Sequence, residues 1–166
     1  MASWKPTSKI DELFAKTAGN KFAGMNRPTS GPRDETPAEV GDTKFQLYSL
    51  ATPNGQKIGI LLEELGMDYD AFVVNIGKGE QFTKGFWQAN PNSKIPAAVD
   101  HDPADGGEPI RLFESGSMVV YLAEKYGKFI PKDARAKAEC MNWVMWQMAG
   151  EFAWITLRIF SCNRLQ

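Results

Sequence analysis

The stretch Asn92-Ser93-Lys94-Ile95-Pro96-Ala97 decides how the middle of this chain folds. Its proline opens a short apolar strand over Pro96 to Val99. Proline has no N–H, so the backbone just before it is left to pair with a ligand rather than with its own sheet. The stretch therefore predicts a strand with an open backbone beside its first residue.

A second informative segment, Phe113-Glu114-Ser115-Gly116-Ser117, follows about twenty residues later. Here an acidic residue and two hydroxyls stand where an apolar run turns into a helix, and the exposed amides of a helix N-terminus attract a carboxylate. Taken alone, each segment has a purely structural explanation, an edge-strand opening or a helix cap. Their order and spacing together predict a site for a small peptide.

The elements before the proline strand form a strand, a helix and a second strand. Phe45 to Leu50 alternates like a half-buried strand, and Thr52-Pro53-Asn54-Gly55 breaks it, either as a plain type I turn or as a functional loop. Lys57 to Leu65 has the apolar spacing of an amphipathic helix that stops at Gly66. Tyr69 to Asn75 reads as a strand, which predicts a parallel βαβ unit.

The elements that follow complete one α/β domain. Gly77 to Asn90 predicts a short irregular helix, and Pro96 to Val99 pairs with Pro109 to Phe113 as a hairpin. Glu114 to Tyr126 then forms a helix that stops at Gly127. The order β-α-β-α-β-β-α, with a mixed four-stranded sheet and a proline opening the third strand, predicts a thioredoxin-like fold.

Three regions are expected along the chain: an N-terminal arm over residues 1–44, the thioredoxin-like domain over 45–130, and the start of an all-α domain over 131–166. The arm is rich in Gly and Pro and is either a flexible tail or a segment that lies on the domain. Asp133 is expected to cap the first helix of the third region.

Three side chains on that last helix are assigned to packing rather than chemistry. Trp143 and Trp146, three residues apart, are expected to pack against the first domain, with a substrate pocket as the alternative. Cys140 is expected to be a small buried apolar residue.

Composition excludes several classes of function. A net charge of −1 provides no general attraction to nucleic acid or to an anionic membrane. No stretch approaches the roughly 20 apolar residues of a membrane span and the start does not resemble a signal peptide, so a cytoplasmic protein is expected. Two cysteines 22 positions apart and one loop histidine, His101, predict neither a disulfide framework nor a metal site.

Several segments together resemble the soluble glutathione transferases, and in particular their nu class of disulfide-bond oxidoreductases. The similarity covers roughly residues 20–149 and rests on five segments: Asn26-Arg27-Pro28, Leu47-Tyr48-Ser49, Thr52 to Lys57, Asn90 to Ala97, and Phe113 to Ser117. Thr-Pro-Asn-Gly after the first strand, together with an N-terminal arm, is the specific part of this likeness.

The resemblance implies glutathione as the ligand and a small disulfide or electrophile as the second substrate. It implies that Thr52 and Asn54 stabilise the glutathione thiolate by hydrogen bonds, since neither is a base or a nucleophile. A cis turn at Lys94-Ile95-Pro96 would present the Ile95 backbone to the cysteinyl part. The implied binding residues are Asn26, Gln81, Lys94, Ile95, Pro96, Glu114 and Ser115, with Glu114 for the γ-glutamyl ammonium and Ser115 for its carboxylate.

The likeness fades after Gly150, where family members continue as an all-helical domain, so the chain is expected to be truncated there. Family members are homodimers, and that domain supplies most of their dimer contacts. The main hypothesis is a glutathione-dependent disulfide reductase or transferase. Two alternatives stay open, a non-catalytic glutathione-binding module and an inactive truncated product.

Overall fold

The structure, a computed structural model, describes residues 31–151, with the backbone alone for 150 and 151. Four strands and four α-helices follow residues 31–44. The strands are β1 (Phe45–Ser49), β2 (Asp70–Val73), β3 (Ala97–Asp100) and β4 (Ile110–Phe113), and the helices are α1 (Pro53–Leu65), α2 (Lys84–Ala89), α3 (Ser115–Tyr126) and α4 (Ala134–Trp146). A 3₁₀ turn, Glu80–Phe82, precedes α2, and one π turn, Gln147–Glu151, follows α4.

The sheet has the order β2-β1-β3-β4. β1 and β2 are parallel, with Leu47 opposite Ala71, whereas β3 is antiparallel to both β1 and β4. The connection from β1 through α1 to β2 is the predicted βαβ unit. The predicted thioredoxin-like fold with a mixed four-stranded sheet is confirmed.

Alternation along β1 sends its side chains into two separate cores. Phe45 and Leu47 join Ile58 and Leu62 of α1 and Met118 of α3 in the larger core. Tyr48 points to the opposite face, where it packs with Phe86 and other residues around α2. Helices α1 and α3 therefore cover one face of the sheet and α2 covers the other.

The first turn of α1 corrects one sequence expectation. Thr52-Pro53-Asn54-Gly55 is not a separate turn, because the helix already begins at Pro53 with Thr52 as its N-cap. Proline suits this place, since the N–H that it lacks would have no partner inside the helix. Gly66 and Gly127 end α1 and α3, as predicted, and both adopt the left-handed conformation that glycine allows.

The described part of the arm lies on the domain. Arg33 N donates to Phe82 O at 2.8 Å, and the Arg33 guanidinium lies 3.4 Å from the centre of the Phe82 ring. Further along, Gly85 N donates to Thr36 O at 2.9 Å. Residues 33–38 thus follow the start of α2, and of the two readings of the arm, the docked one holds for this stretch.

Helix α4 differs from what its sequence predicted. Asp133 caps it as expected, accepting hydrogen bonds from Arg135 N and Ala136 N. Trp143 and Trp146, however, are 60% and 57% exposed and pack edge to face on each other, so the expectation that they pack on the first domain is wrong. Cys140 is partly exposed rather than buried, which corrects its assignment as well.

Candidate ligand-binding site

Strand register brings the three informative segments to one end of the sheet. Tyr48 pairs with Ala97, and Ala97 pairs with Phe113. The loop after β1, the proline before β3 and the residue after β4 are therefore neighbours. Segments about sixty residues apart in sequence thus converge at one end of the sheet.

The N-terminus of α1 supplies the first polar groups. Thr52 Oγ1 accepts a hydrogen bond from Gly55 N at 3.2 Å. A hydroxyl has one donor and two acceptor positions, so this cap leaves the Thr52 O–H able to donate to a ligand. Gly55 is required here, because a Cβ would lie 2.1 Å from Leu50 O.

Asn54, in the first turn of α1, is held by a lysine one turn later. Lys57 Nζ donates to Asn54 Oδ1 at 2.8 Å. No residue within 31–151 accepts a hydrogen bond from Asn54 Nδ2. Thr52 and Asn54 thus both offer donors at the positive end of a 13-residue helix, where a negative charge is stabilised.

The Ile95-Pro96 peptide bond is cis, as the resemblance implied. Buried Asn90 shapes the turn before it, donating through Nδ2 to Lys94 O at 2.6 Å and accepting from Asn92 N. Within the described chain, neither the N–H nor the carbonyl of Ile95 has a hydrogen-bond partner. The Ile95 backbone is therefore available to an extended peptide.

Glu114 and Ser115 stand at the start of α3 with different exposures. Glu114 has φ 65°, an uncommon conformation for a residue with a side chain, and its exposed carboxylate makes no capping hydrogen bond. Ser115 is only 5% exposed, and its hydroxyl donates to Met148 Sδ at 3.6 Å. Backbone strain of this kind is frequent at functional sites, where the surrounding fold holds it in place.

A cleft of about 630 Å³ connects these groups to α4. Asn54, Glu114 and Ser115 form its polar end, whereas Met141, Met145 and Met148 of α4 and the π turn form an apolar wall. Its volume lies in the range of sites for small molecules. Of the predicted site residues, the cleft thus brings together Asn54, Glu114 and Ser115.

Other predicted residues lie outside this cleft. Pro96 is buried at the start of the inner strand β3, and Lys94 is exposed two residues before it. Gln81 is buried, and its Nε2 donates to Ile76 O at 3.5 Å. Asn26 falls outside the described residues. The roles of these residues stay predictions.

Three residues near the site were missed by sequence reasoning. Lys57 contacts Asn54, and Met148 contacts Ser115. Asn90 stabilises the turn before Pro96 by donating to Lys94 O. Met148 lies 33 positions from its partner, and no local pattern predicts such a contact. Lys57 was within reach of a sequence argument, because residues three apart on a helix are neighbours.

Electrostatics around the cleft involve one tyrosine on α3. Burial and a hydrogen bond to the Asp100 carboxylate, at 2.8 Å, raise the pKa of the Tyr121 hydroxyl. Tyr121 therefore stays protonated and is not a base.

Residues 31–151 contain no cluster of His, Cys, Asp and Glu that could hold a metal ion. Over the same residues, each helix is too short or too polar to cross a bilayer.

Fold and geometry together define a thioredoxin-like domain in which an open backbone and two helix N-termini lie at one end of the sheet. Residues 51–125 match the family described as "Glutathione S-transferase, N-terminal domain". These 75 of the chain's 166 residues are a glutathione S-transferase N-terminal domain.

Individual relatives are similar over most of this chain. Disulfide-bond oxidoreductase YghU of Escherichia coli is 53% identical over 137 residues, which cover 79% of this chain and 46% of that protein. A glutathione transferase YghU from Streptococcus pneumoniae, solved in complex with glutathione, superposes with a TM-score of 0.75 at 44% identity, over 88% of this chain and 56% of that one.

A third similar structure is a glutathione transferase from Burkholderia graminis with two glutathione molecules bound per subunit. It is 48% identical, with a TM-score of 0.62, over 64% of this chain and 44% of that one. The present chain spans about half the length of the curated relatives that it matches.

Proposed function

We propose that this protein binds glutathione at the described end of the sheet and uses its thiol to reduce a small disulfide or to attack an electrophile. The observation that carries the proposal is the convergence of free donors and acceptors at one place. The Asn54 NH₂ group and the Glu114 carboxylate line one cleft. The open Ile95 backbone lies at the same end of the sheet, just before the first residue of β3.

Each part of glutathione has a matching group. The Ile95 backbone pairs with the cysteinyl residue as a short strand would. Glu114 accepts hydrogen bonds from the γ-glutamyl ammonium, and Ser115 with the α3 N-terminus holds its carboxylate. Gln81 and Lys94 are assigned to the glycyl end and Asn26 to a contact from the arm, as the family resemblance implies.

Thr52 and Asn54 act on the thiol. A free thiol titrates near pH 8.5, so only a few per cent is thiolate at neutral pH. Hydrogen bonds from Thr52 Oγ1 and Asn54 Nδ2, at the positive end of α1, favour the thiolate and lower its pKa. The protein supplies orientation and electrostatics, and glutathione supplies the nucleophile.

Reduction of a disulfide consumes two glutathiones. The first thiolate attacks one sulfur, breaks the S–S bond and releases a thiolate that takes up a proton. A second glutathione thiolate then attacks the mixed disulfide, which releases the second thiol and forms glutathione disulfide. The two glutathiones in the Burkholderia graminis structure agree with this stoichiometry.

The test compares wild type with Glu114→Gln in calorimetric titration with glutathione and in reduction of hydroxyethyl disulfide. Removing the charge while keeping the shape weakens binding by about 10- to 100-fold, the worth of a hydrogen bond to a charged group. Glu108→Gln, an exposed loop carboxylate before β4, is the matched control and should behave like wild type.

Three outcomes decide the proposal. Turnover that falls only in Glu114→Gln supports the enzyme, and equal turnover in both variants rejects this site. Binding of glutathione without turnover by the wild type identifies the chain as a non-catalytic glutathione-binding module instead.

Location and assembly belong to the same proposal. Glutathione reduces disulfides most readily in the reducing cytoplasm, so we assign the protein there. A homodimer is proposed from the family resemblance, and sedimentation at several concentrations tests it.

A further inference from the structure

Lys57 is the residue that connects the thiol-binding end of α1 to the helical region after it. Its Nζ donates to Asn54 Oδ1 at 2.8 Å and to Gln147 Oε1, in the turn after α4, at 2.7 Å. The side chain is partly buried, and it also lines a second cleft of about 590 Å³ with Trp143 and Met148. One ammonium group thus bridges two regions that are ninety positions apart.

The first of these contacts sets the orientation of the Asn54 amide. A lysine ammonium only donates hydrogen bonds, so the Asn54 atom that faces it is the carbonyl oxygen. The NH₂ group consequently points away from Lys57, and no residue of the described chain accepts from it. This is the orientation in which Asn54 can donate to a sulfur.

The second contact makes this orientation depend on the helical region. Gln147 lies at the start of the π turn that carries Met148, whose thioether accepts from Ser115 Oγ. The same turn therefore contacts both the thiol end and the carboxylate end of the candidate site. A shift of this turn would move Lys57 and Met148 together.

We propose that Lys57 is a positioning residue for the reaction: it fixes the Asn54 amide toward the glutathione thiol and couples that geometry to the docking of α4. This inference rests on the proposed function. Lys57 does not touch the reacting sulfur, but its charge polarises the amide to which it donates and so strengthens the hydrogen bond that Asn54 makes.

Other titratable groups of the described chain lie around the same two clefts. Glu114 before α3 and both Tyr121 and Glu124 of α3 line the cleft of Asn54, and Glu124 is paired with Lys137 of α4. Cys140 of α4 lines the second cleft with Lys57. The Glu114 carboxylate, unpaired within the described chain, opposes a thiolate, so removing Lys57 leaves its effect less compensated. We therefore expect the pKa of the bound thiol to rise when Lys57 is replaced.

The experiment uses the full chain and compares wild type, Lys57→Met, Lys57→Arg and Gln147→Leu. The pKa of bound glutathione is read from thiolate absorbance against pH, and kcat and KM are measured at neutral pH. Lys57→Met should raise that pKa by about one unit and lower kcat about tenfold, with KM for glutathione within about twofold. Lys57→Arg should recover part of the loss, and Gln147→Leu should show a smaller shift in the same direction.

A matched control and a ligand-free measurement separate this inference from the proposed function. Lys84→Met, which breaks a surface ion pair with Glu35, should leave pKa and kcat unchanged. Without ligand, the chemical-shift difference between the two side-chain NH₂ resonances of Asn54 should shrink in Lys57→Met, because the contact that fixes the amide is lost. It should stay unchanged in Lys84→Met.

Each result has one meaning. An active wild type whose bound-thiol pKa and kcat match those of Lys57→Met overturns the role of Lys57 and leaves the proposed function intact. A wild type that binds no glutathione rejects the proposed function. The Asn54 resonances then test only whether Lys57 positions the Asn54 amide. Unchanged Asn54 resonances in Lys57→Met overturn the inference.

Discussion

At the scale of single residues, the candidate site is built from side chains that also hold the fold. Thr52 caps α1 and is the proposed thiol donor, and Ser115 lies at the start of α3 while its hydroxyl contacts Met148. Glu114 combines a positive φ with an exposed carboxylate. Structural and functional roles at such positions are separable only by comparing matched substitutions.

Thr52→Ala should lose both the cap and the proposed thiol donor. We expect about 1 kcal/mol less stability, the usual worth of such a cap, and at least about tenfold lower turnover in the hydroxyethyl disulfide assay. Thr83→Ala is the matched control, because Thr83 caps α2 in the same way, accepting from Phe86 N at 3.3 Å. It should lose similar stability and keep its turnover.

Thr52→Ser completes this set, since it keeps the hydroxyl. It should retain the stability and most of the turnover of the wild type, measured by thermal unfolding and by the same assay. Equal turnover in Thr52→Ala and Thr83→Ala would remove Thr52 from the proposed chemistry.

At the scale of elements, the described arm and α2 depend on a close approach that only glycine allows. A Cβ on Gly85 would lie 1.8 Å from Ala38 N and 2.3 Å from Pro37 C. These are backbone atoms, so the arm itself must move if a side chain is added. The close approach accounts for the arm lying on the domain over these residues.

Gly85→Ala should therefore displace the arm and lower the free energy of unfolding by about 1 to 3 kcal/mol, the usual cost of overpacking. Gly59→Ala is the matched control, because a Cβ at this position in α1 would meet nothing within 4 Å. It should raise stability by about 0.5 to 1 kcal/mol, since alanine is the better helix former. Denaturant unfolding measures both, and equal stability of Gly85→Ala and wild type would contradict the docked arm.

At the scale of the whole molecule, a buried ion pair ties the helical layer to the sheet. Asp100, at the end of β3, is 1% exposed and accepts from Lys125 Nζ of α3 at 2.6 Å and from the Tyr121 hydroxyl. On the same helix, Glu124 pairs with Lys137 of α4 at the surface. The two pairs have similar chemistry and very different burial.

Lys125→Met should lower the free energy of unfolding by about 3 kcal/mol, because it leaves the buried Asp100 carboxylate without its cation. Lys137→Met should change it by no more than about 1 kcal/mol, since exposed pairs are weak. Adding Asp100→Asn to Lys125→Met should restore part of the loss. Denaturant unfolding compares all three, and equal effects of the two lysine substitutions would refute the role of burial.

Local patterns in the sequence were sufficient for the elements and for their order. Apolar periodicity and glycine stops located α1 and α3, and alternation located β1, because these signals depend on neighbours a few residues away. The start of α1 was misread, since a proline can both break a strand and open a helix. The order and spacing of the segments at Pro96 and at Glu114 predicted one site, and the family resemblance added Thr52 to it.

Tertiary structure decided what packs on what. The periodicity of α4 marks Trp143 and Trp146 as neighbours, but only the docking of the helix leaves them exposed. The contacts of Lys57 with Gln147 and of Ser115 with Met148 join residues far apart in the chain. Sequence alone therefore determined the fold and the position of the candidate site, because both follow from local pattern and topology. The orientation of its groups depended on long-range packing, which no local pattern contains.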